Sequence, residues 1–218
     1  IGAGMRDRAV YNSRSAFVVD TPQKEIVNFT KQFPFSLTGA QERATQAILD
    51  DMRKEVPMAR LLEGDVGSGK TAVAAIASLA TISSAPPENR FARLQVAYMA
   101  PTEILARQHF ESFVDLFRGS NISIGLITGS GCRKFPSKID PDGTTPLSRA
   151  QFLRYVKDGE LSIVIGTHAL IADRVLFRHM ALVIIDEQHR FGTMQRARIV
   201  KKGERVPHLL SMTATPIP

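Results

Sequence analysis

The octet Gly64-Asp65-Val66-Gly67-Ser68-Gly69-Lys70-Thr71 constrains this chain more than any other feature. It follows a short apolar run, Leu61-Leu62, and opens an alanine-rich stretch, Ala72 to Ile82, that reads as a helix. A G-x-x-x-x-G-K-[ST] pattern between a strand and a helix is the loop that wraps nucleotide phosphates. Its glycines let the backbone curl until successive N–H groups face an anion, and the helix behind it adds the positive end of its dipole. On this reading residues 64–69 form the cradle, Lys70 neutralises β/γ-phosphate charge and the Thr71 hydroxyl holds Mg²⁺. The competing reading is a glycine turn that does no more than cap an ordinary helix.

The chain has 218 residues, 44% hydrophobic and 22% charged, enough for one α/β domain with a sizeable core and an N-terminal extension. A single cysteine, Cys132, excludes an internal disulfide or a cysteine metal cluster and suits a reducing cytosol. The longest apolar stretches, Ala72–Ile82 and Ala181–Ile185, fall far short of the ~20 residues a membrane span needs. The N-terminus has no signal-peptide pattern, so a soluble cytoplasmic protein is expected. A formal charge of +7 fits a polyanionic partner, and Arg190, Arg196, Arg198, Lys201, Lys202 and Arg205 cluster against Glu204. The same cluster also fits a solvated helix face.

Residues 1 to about 22 show neither helical nor strand periodicity and read as a linker. A short helix is expected over Gln23–Phe33, with Ile26, Phe29 and Phe33 on one face and Pro34 as its stop. Apolar runs then recur at Arg60–Leu62, Gln95–Met99, Ile122–Ile127, Leu161–Ile165, Leu182–Ile185 and His208–Met212. Such runs predict strands buried on both faces of a sheet, joined by right-handed crossover helices. The fold class expected is therefore α/β, a doubly wound, mostly parallel sheet with helices on both faces and ligands beyond the carboxyl ends of its strands. Ser83–Arg93 and Gly131–Pro146 read as surface loops.

The run Ala181–Ile185 ends in Asp186-Glu187, so two acids arrive at the tip of a buried strand. That is where a phosphate-loop fold needs a second metal ligand. Asp186 is expected to bind Mg²⁺, directly or through water, opposite Thr71, and Glu187 to orient and deprotonate the attacking water. The alternative is a pair of solvated acids at a strand end.

With Asp186-Glu187-Gln188-His189-Arg190-Phe191-Gly192 in view, the sequence resembles the first motor lobe of superfamily-two helicases, and more narrowly the RecG branched-DNA helicases. The resemblance covers about residues 33 to 218. It includes Phe35 to Gln41, Gly64 to Thr71, Ala100 to Ala106, Thr128-Gly129-Ser130, Ile165 to Leu170 and Met212 to Pro218. Transcription-repair coupling translocases look similar but carry a second Glu, then Gln and Arg, where this chain has Gln188 and His189. RecG is preferred.

That resemblance implies roles for individual residues. Phe35 and Gln41 contact the adenine of ATP, although Thr38-x-x-Gln41 is also a capping box for a helix over about Gly39 to Lys54. Pro101, Thr102 and Glu103, then Thr128, Gly129 and Ser130, then Gly166, Thr167 and His168 line a nucleic-acid track of phosphate contacts. Thr102 also suits a plain helix cap over Glu103–Phe113, and His168 a plain strand-end histidine. His189 joins the catalytic group and couples the γ-phosphate side to Thr213, Ala214 and Thr215, whose bland alternative is a turn before Pro216. No role is assigned to His109, His179 or His208.

The resemblance further implies a RecA-like lobe over residues 33–218, an extension over 1–32, and a monomer working on branched or single-stranded DNA. A second motor lobe, with its arginine, and a wedge domain would complete it; neither is recognisable here. A slowly hydrolysing, excised ATP-binding lobe is the reading preferred over a small-molecule P-loop kinase or ATPase and over a module that binds ATP without splitting it.

Overall fold

The computed structural model describes residues 15–65, 67–188, 198 and 205–214. Val66, His189 to Gly192, Thr215 to Pro218 and most of the basic cluster between Arg190 and Arg205 therefore lie outside the described residues, as do residues 1–14.

The described chain forms helices α1 (Gln23–Thr30), α2 (Gly39–Met52), α3 (Lys70–Ser83), α4 (Glu103–Leu116) and α5 (Arg149–Lys157). Its strands are β1 (Ala59–Glu63), β2 (Gln95–Met99), β3 (Ile124–Thr128), β4 (Gly131–Phe135), β5 (Thr145–Leu147), β6 (Ile163–Gly166), β7 (Met180–Ile185) and β8 (His208–Thr213). They make one sheet in the order β1-β8-β7-β2-β6-β3-β4-β5. Pairing is parallel from β1 through β3 and antiparallel across β4 and β5. The α/β, mostly parallel architecture expected from the alternating pattern is present, and each of the six apolar runs holds a strand, with β3 and β6 each beginning two residues later than the run.

Helix α3 shows why the sheet needs two helical layers. Every residue from Ala72 to Ile82 is buried, so the helix is the centre of one face rather than a cover for it. Its alanines permit close approach to the strands. Its hydroxyls stay satisfied by bonding back one turn, Ser78 to the Ala74 carbonyl at 2.7 Å and Thr81 to the Ala77 carbonyl at 2.9 Å. On the opposite face a second core gathers Phe152, Tyr155 and Val156 of α5 with Leu170, Val175 and Val183.

Four expectations are corrected. Residues 15–21 are not a linker: Ala16, Phe17 and Val19 are buried, and the Ala16 and Val19 amides donate to the carbonyls of Glu55 (2.7 Å) and Met52 (2.9 Å). His208 fastens the same segment, accepting from the Met58 amide at 3.0 Å and donating to the Phe17 carbonyl at 2.8 Å. Second, Gly131–Pro146 is not a loop throughout, because β4 pairs in register with β3 and turns Cys132 and Phe135 inward. Third, β1 lies at the sheet edge with all but one of its residues exposed. Helix α1 also ends at Thr30, before Phe33 and Pro34.

Candidate nucleotide and nucleic-acid site

Topology sorts the motifs into two rows along the carboxyl edge of the sheet. The tips of β1, β8 and β7 carry the phosphate loop, Thr213-Ala214 and Asp186-Glu187. The tips of β2, β6 and β3 carry Pro101–Glu103, Gly166–His168 and Thr128–Ser130. Register makes the first row level, with Glu63 opposite Thr213 and Ile185 opposite Ser211. One strand separates β1 from β7, so the two tips stand about 10 Å apart at ordinary strand spacing.

The loop is held in its curl from several sides. The Gly64 amide donates to the Thr213 carbonyl at 3.3 Å and the Ser68 amide to the Asp65 carbonyl at 3.0 Å. Gly67 and Gly69 have φ of 81° and 78°, in the left-handed region where a side chain is strained. Lys70 Nζ lies back inside the loop, donating to the carbonyls of Gly64 (2.5 Å) and Asp65 (2.9 Å). Thr71 is partly exposed on the first turn of α3.

Gln41 does two things at once. Its Oε1 accepts from the Thr38 amide at 2.8 Å while the Thr38 hydroxyl accepts from the Gln41 amide at 3.3 Å, which is the capping box. Its Nε2 donates to the Ser68 carbonyl at 2.7 Å, inside the phosphate loop. Phe35 is half exposed, the last ring of a series in which Phe29 packs on Phe33 (5.0 Å) and Phe33 on Phe35 (5.4 Å).

Asp186 is buried, and both carboxylate oxygens have partners: Oδ1 accepts from the Glu187 amide at 3.0 Å and Oδ2 from His109 Nε2 at 2.6 Å. Glu187 adopts φ of 50°, the one non-glycine residue in the left-handed region among the described residues. Among the described residues no three His, Cys, Asp or Glu side chains gather as a metal cage. One carboxylate and one hydroxyl suit a cation that takes its remaining ligands from phosphate and water, as Mg²⁺ does. His109 had no sequence signal beyond its place on the inward face of α4, one turn from buried Ala106 and next to buried Phe110.

In the second row several expected contacts are occupied internally. The Thr102 hydroxyl caps α4, accepting from the Leu105 amide at 3.2 Å. The Glu103 carboxylate accepts from the Ser130 hydroxyl (2.5 Å) and amide (3.2 Å), and that hydroxyl bond holds its pKa below the usual carboxylate range. Glu103 thus joins the β2 and β3 tips; a carboxylate repels phosphate. Thr128 is buried, its hydroxyl shared with Ser130 at 3.0 Å and the Gly131 carbonyl at 3.3 Å. Thr167 caps a short 3-10 turn, His168–Ile171. Gly129, Ser130 and His168 stay exposed. Two cations with no sequence signal flank the turn between β3 and β4: Arg107 donates to Ser130 Oγ at 2.9 Å and Arg149 to the Thr128 carbonyl at 3.4 Å. His189, Val66 and Thr215 fall outside the described residues.

A phosphate loop after the edge strand, acids after β7, and a mostly parallel sheet between helices define a RecA-like P-loop lobe. The sequence profile of the DEAD/DEAH box helicases matches residues 38–218. The chain belongs to that family. It is 44% identical over 201 residues to the ATP-dependent DNA helicase RecG of Aquifex aeolicus, covering 92% of this chain and 23% of the relative. Against RecG of Bacillus subtilis the identity is 47% over 195 residues, covering 89% and 25%. The chain thus spans about a quarter of the length of these relatives. A solved structure of RecG bound to a three-way DNA junction superposes with a TM-score of 0.74 at 37% identity, covering 98% of this chain and 26% of that one. S. cerevisiae Dbp5 bound to RNA and ADP BeF3 shares the fold, with a TM-score of 0.60 at 19% identity over 88% of this chain and 44% of that one. No helix among the described residues is long and apolar enough to cross a membrane.

Proposed function

We propose that this chain is the ATP-binding motor lobe of a RecG-type DNA helicase or translocase that acts on branched DNA. The observation that carries the reading is the level placement of the phosphate loop and Asp186-Glu187 on either side of β8. The similarity to RecG supports the substrate class, forked and junction DNA in recombination and repair.

ATP with Mg²⁺ is the proposed ligand. Mg²⁺, when bound, offsets phosphate charge; Thr71 and Asp186 would hold it. The loop amides and Lys70 receive the phosphates, and Lys70 gives up its two carbonyl partners to do so. Glu187 orients and deprotonates the attacking water. Catalysis of phosphoryl transfer is largely positioning and charge neutralisation, so these groups form one half of a site. Phe35 packs on the base. Gln41 retains one amide hydrogen and one lone pair for the base edge after its two protein bonds. His189 and Thr213–Thr215 connect hydrolysis to movement of a second lobe.

Along the second row, the exposed Gly129, Ser130 and His168, with Pro101 and the α4 amides, meet DNA phosphates. Phosphate contacts carry no base information, which suits a motor that moves along any sequence. Residues 33–218 constitute the lobe, and the second lobe and the wedge domain of the longer protein are its partners; the assembly is monomeric and cytoplasmic.

Single-turnover hydrolysis tests this. Slow Mg²⁺-dependent cleavage of ATP that Glu187→Gln abolishes is the expected result, since an arginine from a second lobe contributes ~10³–10⁵ in rate. Tight ATP binding with identical, background cleavage in both proteins would instead identify a module that binds nucleotide without splitting it.

A further inference from the structure

Helix α4 begins in the nucleic-acid row and reaches the nucleotide row six residues later, at His109. Its Nε2 meets Asp186 Oδ2 at 2.6 Å, and both side chains are largely buried, at 13% and 9% exposure. A carboxylate can only accept, so Nε2 carries a proton. The other ring nitrogen, Nδ1, meets the Tyr98 hydroxyl at 3.2 Å, and the two rings pack at 4.7 Å between centroids. Tyr98 is fully buried on β2, with its ring edge-on to Phe113. Burial, with the Asp186 charge as a lesser cause, pushes its pKa well up, so its hydroxyl keeps its proton.

We propose that His109 is the positioning residue for Asp186 and Glu187, holding the carboxylate through Nε2 while Tyr98 fixes the ring through Nδ1. The chain of contacts is continuous. Tyr98 orients His109; His109 fixes one oxygen of Asp186; the other oxygen accepts from the Glu187 amide, at the residue whose backbone is in the left-handed region. Each carboxylate oxygen accepts one bond from protein and retains a lone pair. A cation or its water can therefore be met without breaking the array, and the orientation is fixed before nucleotide arrives. Helix α4 carries both this histidine and Arg107, which bonds Ser130 in the nucleic-acid row, so one rigid element touches both rows.

The inference rests on Asp186 being the metal-side carboxylate of the proposed function. The test is calorimetric titration of the chain with ADP, once with Mg²⁺ and once with a chelator. Removing a residue that orients a metal ligand typically costs 10–100-fold in metal affinity. His109→Ala is expected to lose about tenfold in affinity for ADP with Mg²⁺ and nothing for ADP in chelator. His109→Gln, whose amide can donate to the same oxygen, recovers most of the loss. Tyr98→Phe, which keeps the ring and removes the hydroxyl, moves the Mg²⁺ dependence in the same direction by less, and serves if His109→Ala does not fold. If the wild-type gain from Mg²⁺ persists unchanged in the variants, or both titrations weaken equally, His109 is a packing residue and the inference is overturned alone. A wild-type chain that binds ADP with no gain from Mg²⁺ overturns the reading of Asp186 and this inference with it.

Discussion

The Gln41 amide nitrogen donates to the Ser68 carbonyl at 2.7 Å, which ties the first turn of α2 to the phosphate loop. The contact exists because the neighbouring position is glycine. A Cβ on Gly69 would stand 2.2 Å from Gln41 Nε2, and the φ of 78° there disfavours any side chain. Gly69→Ala is therefore expected to lower stability by about 1–2 kcal/mol from backbone strain and to displace Gln41. Denaturant unfolding, paired with ADP titration, checks both effects. A variant with wild-type stability and affinity would show that the loop does not need this contact.

Thr38 caps α2 and receives the Gln41 amide in return. Thr38→Ala removes the hydroxyl half of the box and should cost about 1 kcal/mol. Because Gln41 Oε1 keeps its bond to the Thr38 backbone amide, nucleotide affinity should fall less in Thr38→Ala than in Gln41→Ala. Equal losses in the two variants would place the effect in the helix rather than in the glutamine.

Phe17 lies in a segment with no regular structure yet is 2% exposed, with the Arg205 guanidinium 4.9 Å from its ring centroid. Phe17→Ala is expected to destabilise the chain by about 3–5 kcal/mol, the usual range for emptying a buried aromatic site. Urea midpoints measure this. A loss below ~1 kcal/mol would return residues 15–21 to the status of a linker.

His208 is fully buried, and burial, more than the opposing Phe17 bond and Asp51 charge, lowers its pKa below the ordinary histidine value. The unfolded chain takes up a proton near pH 6.5 that the folded chain resists. Stability from this residue is therefore complete above about pH 6.5 and is lost as pH falls toward the folded pKa. Melting temperatures between about pH 7.5 and about pH 5.5 should drop more steeply for the wild type than for His208→Gln, which cannot titrate. Parallel slopes would show that His208 has no part in the pH dependence.

Much of the architecture was legible because its signals are local. Parallel strands buried on both faces read as unbroken apolar runs, and Gly64–Thr71 carries its chemistry in eight consecutive residues. Strand β4 was hidden because only Cys132 and Phe135 turn inward and a proline, glycine and aspartate-rich tip follows; its partner β3 supplies the order. Residues 15–21 were hidden because their burial depends on single bonds to Met52, Glu55 and His208, with no period to detect. His109 and Asp186 are 77 positions apart, and nothing in the spacing predicts that α4 turns that histidine toward the β7 tip. Arg107 and Arg149 share that obscurity.

The proposed function depends on residues 64–71 receiving a nucleotide's phosphates, with Lys70 as the cation that meets them. Equilibrium titration of a fluorescent ADP derivative with Mg²⁺, in the wild type and in Lys70→Ala, probes that contact without any need for turnover. Saturable binding that weakens about 10–100-fold in the variant is expected, since a hydrogen bond to a charged group carries roughly 1.5–3 kcal/mol. Equal affinity in the two proteins, or no binding by a folded wild-type chain, would refute it.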